Sequence, residues 1–207
     1  MTEDAFDWRA YPPLELSPIL SAALAEIVEH GYEGTTVRKI ASRVGVTVPA
    51  LYYHFENKQA MLRELLDRAM RIVLTHARAA LEEAGASCVD RLSALVEAIA
   101  LYMAHHRDLA FLDSERRSLT PGNRAEYVSR RDELERELRA AIDTGVRQKV
   151  FRTRYPDECS RAILSMCQGI AGWYRPDGSI DPQTMAMRYV DIALATVRYQ
   201  EQDEAVR

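Results

Sequence analysis

Residues 35–58 read TTVRKIASRVGVTVPALYYHFENK. Apolar residues recur at helical spacing on both sides of Gly45, which predicts two short helices that meet there. Gly45 can adopt the left-handed backbone that a tight turn between helices needs. Thr35 or Thr36 is placed to cap the first of these helices, and Thr47 is placed to cap the second. The stretch therefore predicts a helix-turn-helix.

The second of these helices has the dimensions of an element that enters DNA. It spans about eight residues, or roughly 12 Å at 1.5 Å per residue, and it suits a major groove about 12 Å wide. Pro49 is tolerated in its first turn. Its outward positions carry short or planar groups suited to base edges and phosphates: Thr47, Val48, Ala50, Tyr53 and His54. These features predict contact with double-stranded DNA.

The flanking sequence extends the helical pattern in both directions. Upstream, Ser17-Pro18 supplies a cap and a first-turn proline for a helix that ends near Gly31. Downstream, Asn57 caps a long helix that runs towards Gly85. Later prolines and glycines separate further helices of about 15 to 25 residues, and no strand-like alternation is sustained. The predicted fold class is all-α.

The chain is expected to divide into three parts. A flexible N-terminal arm covers residues 1–16, a three-helix DNA-binding head covers residues 17–63, and a helical-bundle domain for ligand binding and dimerisation covers residues 64–207. The long helix that begins after Asn57 passes from the head into the bundle. It is therefore the element through which the two domains would communicate.

The charge distribution favours a nucleic-acid partner in spite of the overall acidity. The 207 residues carry a net charge of −4, but residues 35–58 contain four basic residues and one acidic residue, a local charge of +3. Positive charge is thus concentrated where a phosphate footprint is needed. No apolar run approaches the roughly 20 residues of a membrane span, and no secretory signal is expected. The three cysteines lack metal-ligand spacing, so a cytoplasmic protein with reduced thiols is predicted.

The stretch over about residues 17–63 resembles the N-terminal signature of the TetR (tetracycline repressor) family. The matching features are an apolar first helix that ends in Gly, the run Thr-Thr-Val-x-x-Ile-Ala-x-x-x-Gly-Val-Thr, and then Leu-Tyr-x-His-Phe and a Lys. One departure is Pro49, where the family commonly has Gly close to the DNA. The resemblance implies a regulator that binds a DNA operator as a homodimer, although the base contacts around Pro49 do not carry over.

The resemblance also implies roles for individual residues of the head. Thr35 and Thr36 are similar to phosphate-contacting residues at a helix N-terminus, which presents free N–H groups and partial positive charge. Val48 and Ala50 are candidates for contact with thymine methyl groups, and Lys58 would bind a phosphate by charge. The full set of predicted DNA-binding residues is Thr35, Thr36, Arg38, Thr47, Val48, Ala50, Tyr52, Tyr53, His54 and Lys58. Other interpretations are open: Thr35 or Thr36 could simply cap a helix, Tyr52 could belong to the core, and His54 could be a surface residue without a binding role.

The family resemblance places the dimer interface on the last two long helices. In this chain they are predicted at about residues 157–174 and 182–200, where apolar residues exceed what one subunit's core needs. A homodimer would set its two recognition helices about one DNA turn, roughly 34–36 Å, apart. The bundle is also expected to enclose a small-molecule effector. The predicted ligand-binding residues are Met103, Phe111, Tyr127, Met166, Trp173, Tyr174 and Arg175, with Leu101 and Leu112 as further candidates.

The run Trp173-Tyr174-Arg175-Pro176 suggests a class of effector. It looks like a branch of the TetR family that regulates fatty-acid and steroid-ring catabolism, several members of which respond to coenzyme A thioesters. The resemblance implies an acyl-CoA effector, with Arg175 paired to a phosphate. Arg175 could instead interact with the C-terminus of its own helix.

Other functions remain open at this point. No phosphate-cradling glycine loop, nucleophile elbow or zinc-binding His-Glu-x-x-His occurs, so the chain is not expected to be an enzyme or to carry a cofactor. His105-His106 is not expected to bind a metal, because adjacent histidines on a helix point about 100° apart. A drug-responsive repressor of an efflux pump would use buried carboxylates such as Asp113, Glu115 or Glu126. A DNA-binding protein without a ligand is the remaining alternative.

Overall fold

The structure is a computed structural model that describes residues 6–198. All regular secondary structure in this range is helical, which confirms the predicted fold class. The helices are α1 Pro18–Gly34, α2 Val37–Val44, α3 Val48–His54, α4 Lys58–Ala84, α5 Cys88–His105, α6 Arg107–Phe111, a 3-10 helix Leu112–Ser118, α7 Pro121–Arg147, α8 Pro156–Trp173 and α9 Pro182–Thr196. Within residues 6–198, no helix combines the length and apolar character needed to cross a bilayer. Residues 199–200, included in the predicted last helix, lie outside the described range.

Local capping explains where most of these helices begin. A side-chain oxygen of the residue before the helix accepts a hydrogen bond from a backbone N–H of the first turn, so a donor that lacks an intrahelical partner is satisfied. Thr36, and not Thr35, plays this part for α2. The capping residues for α1, α2, α3, α4, α5 and α9 are Ser17, Thr36, Thr47, Asn57, Ser87 and Asp181.

Helices α1, α2 and α3 form the head. Gly31 has φ 70°, which bends α1 at the predicted position, although one more turn continues to Gly34. Gly45 lies in the left-handed region between α2 and α3, as its place in the turn requires. The guanidinium of Arg43 on α2 contacts two carboxylates of α1, with Nε 3.0 Å from Glu26 Oε1 and a second nitrogen 2.7 Å from Glu29 Oε2. These contacts hold α2 against α1.

Helix α5 is the centre of the body. It packs against α4, α7, α8 and α9, and nearly every side chain from Leu92 to Ala104 is buried. A helix that is apolar on all sides is suited to such a position. Helix α4 lies on one flank of α5 and also contacts α1, so it belongs to both the head and the body.

The N-terminal segment corrects one prediction. Residues 1–5 lie outside the described range, but within residues 6–16, predicted to be part of a flexible arm, Trp8, Arg9 and Tyr11 contact α4 and α5. Trp8 is only 2% exposed, and its Nε1 donates to Glu83 Oε2 at 2.7 Å. Arg9 binds Glu97 on α5 at 2.8 Å. These contacts involve isolated residues and distant partners, so they produce no repeating pattern in the sequence. The packing of this segment therefore could not be predicted from the sequence.

Candidate functional site

Helix α3 presents an exposed face of planar side chains. Leu51 is completely buried against the head, whereas Tyr53 is 88% exposed and Tyr52 and His54 are also exposed. The Tyr53 and His54 rings meet edge to face with centroids 5.3 Å apart. The exposed Tyr52 excludes the alternative that it belongs to the core. This face is free to contact another molecule.

The residues that surround α3 complete the surface. Thr36 is exposed at the start of α2, where its Oγ1 accepts from Lys39 N at 3.2 Å. Arg38 is exposed, and its side chain has no hydrogen bond or ion pair with another residue in the range 6–198. Thr47 and Ala50 are exposed, and Val48 is half-buried at the first position of α3. An arginine side chain without an internal partner, in the first turn of α2, suits a phosphate-bearing partner.

Two predicted DNA contacts have internal partners instead. Thr35 is buried and its hydroxyl donates to Gly31 O at 2.8 Å, so this geometry does not support a phosphate contact. The Lys58 ammonium donates to Tyr32 O at 2.6 Å and to Thr35 O at 2.8 Å, and it lies 3.9 Å from the Tyr32 ring centroid. An ammonium has three N–H donors, so at most one remains for a phosphate. Both residues make hydrogen bonds at the C-terminal end of α1. A local sequence pattern does not reveal these contacts.

A narrow cavity of about 50 Å³ lies inside the body. Its walls are predominantly apolar and come from α4, α5, α6, α7, α8 and the 3-10 helix. The lining residues are Ala69, Met70, Val73, Ile99, Tyr102, Met103, Leu109, Ala110, Asp113, Tyr127, Arg131, Leu134, Leu164 and Gln168. An apolar cavity with a few convergent polar groups is the usual form of a small-molecule site, although such sites commonly reach about 300 Å³ or more. A ligand would have to widen this one.

The polar groups of the cavity surround Asp113. Tyr127 OH donates to Asp113 Oδ1 at 2.9 Å, while Arg116 lies 2.9 Å from Asp113 Oδ2 and Arg131 lies 3.6 Å from Oδ1. Burial, and then the Asp113 charge, raise the pKa of Tyr127 well above its usual value. Tyr102 is 3% exposed, and its hydroxyl has no hydrogen-bond partner among residues 6–198. Burial, and then the Asp113 charge, also raise the pKa of Tyr102.

The predicted ligand-binding residues divide into two groups. Met103 and Tyr127 line the cavity. Phe111 is exposed at the end of α6, and Met166 packs against the core without lining the cavity. The further candidates Leu101 and Leu112 are buried packing residues that do not line the cavity either.

The aromatic and basic cluster after α8 does not line this cavity, so the lining gives no support to its predicted part in ligand binding. Tyr174 is buried and its hydroxyl donates to Ile180 O at 2.9 Å, so it fixes the loop between α8 and α9. Trp173 is half-exposed and its Nε1 donates to Tyr189 OH at 3.2 Å. Arg175 is exposed on the same loop. The three residues are adjacent in the chain, but none of them lines the cavity described above.

Sequence reasoning missed Tyr102, Arg131 and Gln168. Tyr102 directly precedes the predicted Met103, but α5 is apolar on all sides, so the pattern does not reveal which of its residues face a cavity. Arg131 lies in a charged helix where a solvated face is the ordinary interpretation. Nothing in the sequence marks it out from the other arginines of α7.

The outer face of α8 and α9 exposes apolar side chains. Met187 and Ile192 on α9 and Trp173 on α8 are each about half-exposed. Gly169 and Gly172 on α8 face open space, since an added Cβ would meet nothing within 4 Å. Ile170 and Ala193, in contrast, are completely buried within the subunit.

Comparison with known proteins agrees with this architecture. The family profile described as "Bacterial regulatory proteins, tetR family" matches residues 19–65. The profile described as "Tetracyclin repressor-like, C-terminal domain" matches residues 85–197. Together these matches cover the head and most of the helical body.

Individual relatives are similar along most of the chain. The HTH-type transcriptional repressor KstR2 of Rhodococcus jostii is 33% identical over 185 residues, which are 85% of this chain and 87% of that protein. The structure of the ketosteroid transcriptional regulator KstR2 of Mycobacterium tuberculosis has a TM-score of 0.80 at 26% identity and covers 88% of this chain and 94% of that one. The structure of AibR in complex with isovaleryl coenzyme A and operator DNA has a TM-score of 0.74 at 26% identity, covering 84% of this chain and 95% of that one. The chain belongs to the TetR family of bacterial regulatory proteins.

Proposed function

We propose that the protein is a transcriptional repressor that binds operator DNA through α3 and releases it when an acyl-CoA occupies the body. The observation that carries the proposal is the outer face of α3, where Tyr52, Tyr53 and His54 are exposed while Leu51 is the one fully buried residue of the helix. A short helix with most of its surface exposed is suited to enter the major groove of DNA. The KstR2 proteins are named repressors, and AibR is seen with operator DNA, which supports this function. Because its target is DNA, we propose that the protein acts in the cytoplasm. We also propose that it is a regulator rather than an enzyme.

The experiment that tests DNA binding compares matched exposed residues. Operator affinity is measured for Tyr53→Ala and for Tyr155→Ala, both of which remove an exposed tyrosine, on a site selected from random DNA. We expect a loss of about tenfold or more for Tyr53→Ala and no change for Tyr155→Ala. Arg38→Ala is expected to lower the salt slope of binding by about one per protomer, unlike Arg154→Ala. Equal affinities in all four folded variants would contradict the proposed surface.

The proposed repressor acts as a dimer through the outer face of α8 and α9. Trp173, Met187 and Ile192 expose apolar surface there, and Gly169 and Gly172 permit close approach of a second helix. Burial of this surface in a partner subunit would remove it from water. A two-fold dimer presents two copies of α3, which suits a palindromic operator.

The acyl-CoA effector is supported by the cavity and by one relative. AibR is seen with isovaleryl coenzyme A, and the KstR2 name refers to ketosteroids, so both point to acyl or ring compounds. The apolar walls of the cavity suit such a group. A drug sensor for cations is less well supported, since the Asp113 carboxylate already binds Arg116 and Tyr127 and lies near Arg131. Glu126, for its part, is exposed and bound to Arg130.

A panel titration tests the effector class. The protein–operator complex is titrated with isovaleryl-CoA, longer acyl-CoA esters, the free acids and cationic dyes, and DNA release is followed by fluorescence anisotropy. A tenfold loss of operator affinity needs about 1.4 kcal/mol of coupling, which is within the usual range. Release by thioesters alone is the expected result. Release by dyes without any response to thioesters would favour the drug sensor, and no response to any compound would favour ligand-independent binding.

A further inference from the structure

We infer that Tyr102 selects effectors whose acyl group carries a neutral oxygen acceptor, such as a ketone, away from the thioester. This inference rests on the proposed acyl-CoA function. Tyr102 belongs to the central helix α5, lines the cavity and is 3% exposed. Its hydroxyl is a buried donor without a partner among the described residues. Buried hydroxyls are normally hydrogen-bonded, so an unpaired one in a ligand cavity indicates a partner that arrives with the ligand.

The acceptor is expected to be neutral because of the charge near it. Burial, and then the negative charge of Asp113, raise the pKa of the Tyr102 hydroxyl, so the hydroxyl stays protonated and acts as a donor near neutral pH. The negative charge of Asp113 also opposes a carboxylate at this position. A ketone oxygen meets both conditions, since it accepts a hydrogen bond and carries no charge.

The acceptor is also expected to lie away from the thioester. Coenzyme A carries several phosphate charges and must stay in contact with water. Tyr102, however, is buried in a cavity lined by α4, α7 and α8, and most of the other lining residues, such as Ile99 and Leu134, are apolar. The acyl end that reaches this depth is therefore the end remote from coenzyme A.

The hydrogen bonds around Tyr102 leave its hydroxyl available to a ligand. Tyr127 donates to Asp113 rather than to Tyr102, which leaves the Tyr102 hydroxyl unused. An effector with a plain alkyl group gains nothing at this position and loses nothing, because the hydroxyl is unpaired before it binds. An effector with a ketone gains one hydrogen bond. We expect a preference of about tenfold for the ketone, equivalent to about 1.4 kcal/mol.

The test uses two thioesters of equal chain length, hexanoyl-CoA and 5-oxohexanoyl-CoA, on the full-length protein. Binding of each is measured for the wild type, for Tyr102→Phe and for the exposed control Tyr155→Phe. The expected result is a tenfold preference for the oxo compound in the wild type and the control, and no preference in Tyr102→Phe. The change should come from weaker binding of the oxo compound alone. Thermal unfolding of Tyr102→Phe should match the wild type or exceed it, since the lost hydroxyl has no partner.

Several results would overturn the inference. A wild type without a preference, or a preference that survives in Tyr102→Phe, would remove Tyr102 from recognition. An equal loss for both thioesters in Tyr102→Phe would mean that the hydroxyl binds the thioester carbonyl itself. If neither thioester binds, the acyl-CoA proposal fails separately, and cyclohexanone and methylcyclohexane then probe the cavity directly by thermal stabilisation. Selective stabilisation by cyclohexanone that is lost in Tyr102→Phe supports the inference, and equal stabilisation of the two proteins overturns it.

Discussion

Trp8 attaches the N-terminal segment to the body through contacts of two kinds. Its indole is buried and donates to Glu83, while its backbone oxygen lies 2.7 Å from His76 Nδ1 on α4. Tyr11 follows, stacked on the His76 ring with centroids 4.1 Å apart, and its hydroxyl donates to Ala98 O at 3.1 Å. These residues give a stretch without regular structure a defined position.

Trp8→Ala is therefore expected to destabilise the whole protein. Truncation of a buried tryptophan typically costs about 3 kcal/mol, because the transfer free energy is lost and a cavity remains. Urea denaturation measures the change, with Phe6→Ala as control since Phe6 is exposed. A loss below about 0.5 kcal/mol would mean that the segment contributes little to stability.

His106, whose ring contacts Tyr11 of the N-terminal segment, makes the stability of the protein depend on pH. Burial, and then the neighbouring His105 and His76, lower the pKa of His106 to about 4, below its usual value near 6.5. Between pH 6.5 and 4 the unfolded chain binds a proton that the folded protein does not. The free energy of unfolding therefore falls as the pH is lowered through this window.

Above pH 6.5 His106 is neutral in both states and adds no pH dependence. His106→Phe should reduce the loss of stability between pH 6.5 and 4, measured by urea denaturation in steps of half a pH unit. An identical acid profile in this variant would show that other groups cause the loss.

Helix α4 is the element that joins the head to the cavity. Its first residue, Lys58, binds the end of α1, and Met70 and Val73 line the cavity about three to four turns later, roughly 20 Å along the axis. Gln59 adds a second connection. Its amide nitrogen donates to Tyr32 OH at 3.0 Å and to Ser118 O, and its oxygen accepts from Thr120 N at 3.2 Å. Movement of the 3-10 helix beside the cavity would thus reach the head at Gln59.

Gln59→Glu tests this connection. The substitution keeps an acceptor for Thr120 N–H and removes the two donor contacts, so we expect operator affinity within about threefold of the wild type and effector-induced release reduced by about tenfold. Both quantities come from the same anisotropy titration. An unchanged response to effector would assign the coupling to the packing of α4 alone.

The whole molecule is expected to be a dimer in which the exposed apolar face of α8 and α9 is covered. Ile192 is 50% exposed on this face, whereas Ile170 and Ala193 are buried inside the subunit, and a charge at either would unfold it rather than separate subunits. Ile192 is therefore the position at which assembly can be tested without loss of the fold.

Ile192→Asp is expected to give a folded monomer, because a buried charge without a partner opposes association. Phe111→Asp, at an exposed apolar residue of α6, should remain dimeric. Sedimentation at micromolar concentration distinguishes them, and the monomer should lose specific operator affinity, since a single half-site contributes too little energy. A wild type that is monomeric, or an Ile192→Asp dimer, would contradict the proposed interface.

The helices and the head could be predicted from local sequence. Capping side chains, the Gly45 turn and the spacing of apolar residues act between neighbours in the chain, so residues 35–58 identify the helix-turn-helix without a structure. The exposure of Tyr53 follows from the same spacing, because Leu51 must face inward.

The tertiary structure alone decided the cavity and the internal roles of Thr35, Lys58 and Trp8. The cavity joins residues from Ala69 to Gln168, which are separated by about a hundred positions, and α5 carries no polar stripe to orient it. Lys58 has the residue type that a phosphate needs, but two carbonyl groups at the end of α1 lie closer. Hydrogen bonds between distant segments depend on how helices pack, and packing is a property of the whole chain rather than of any local pattern.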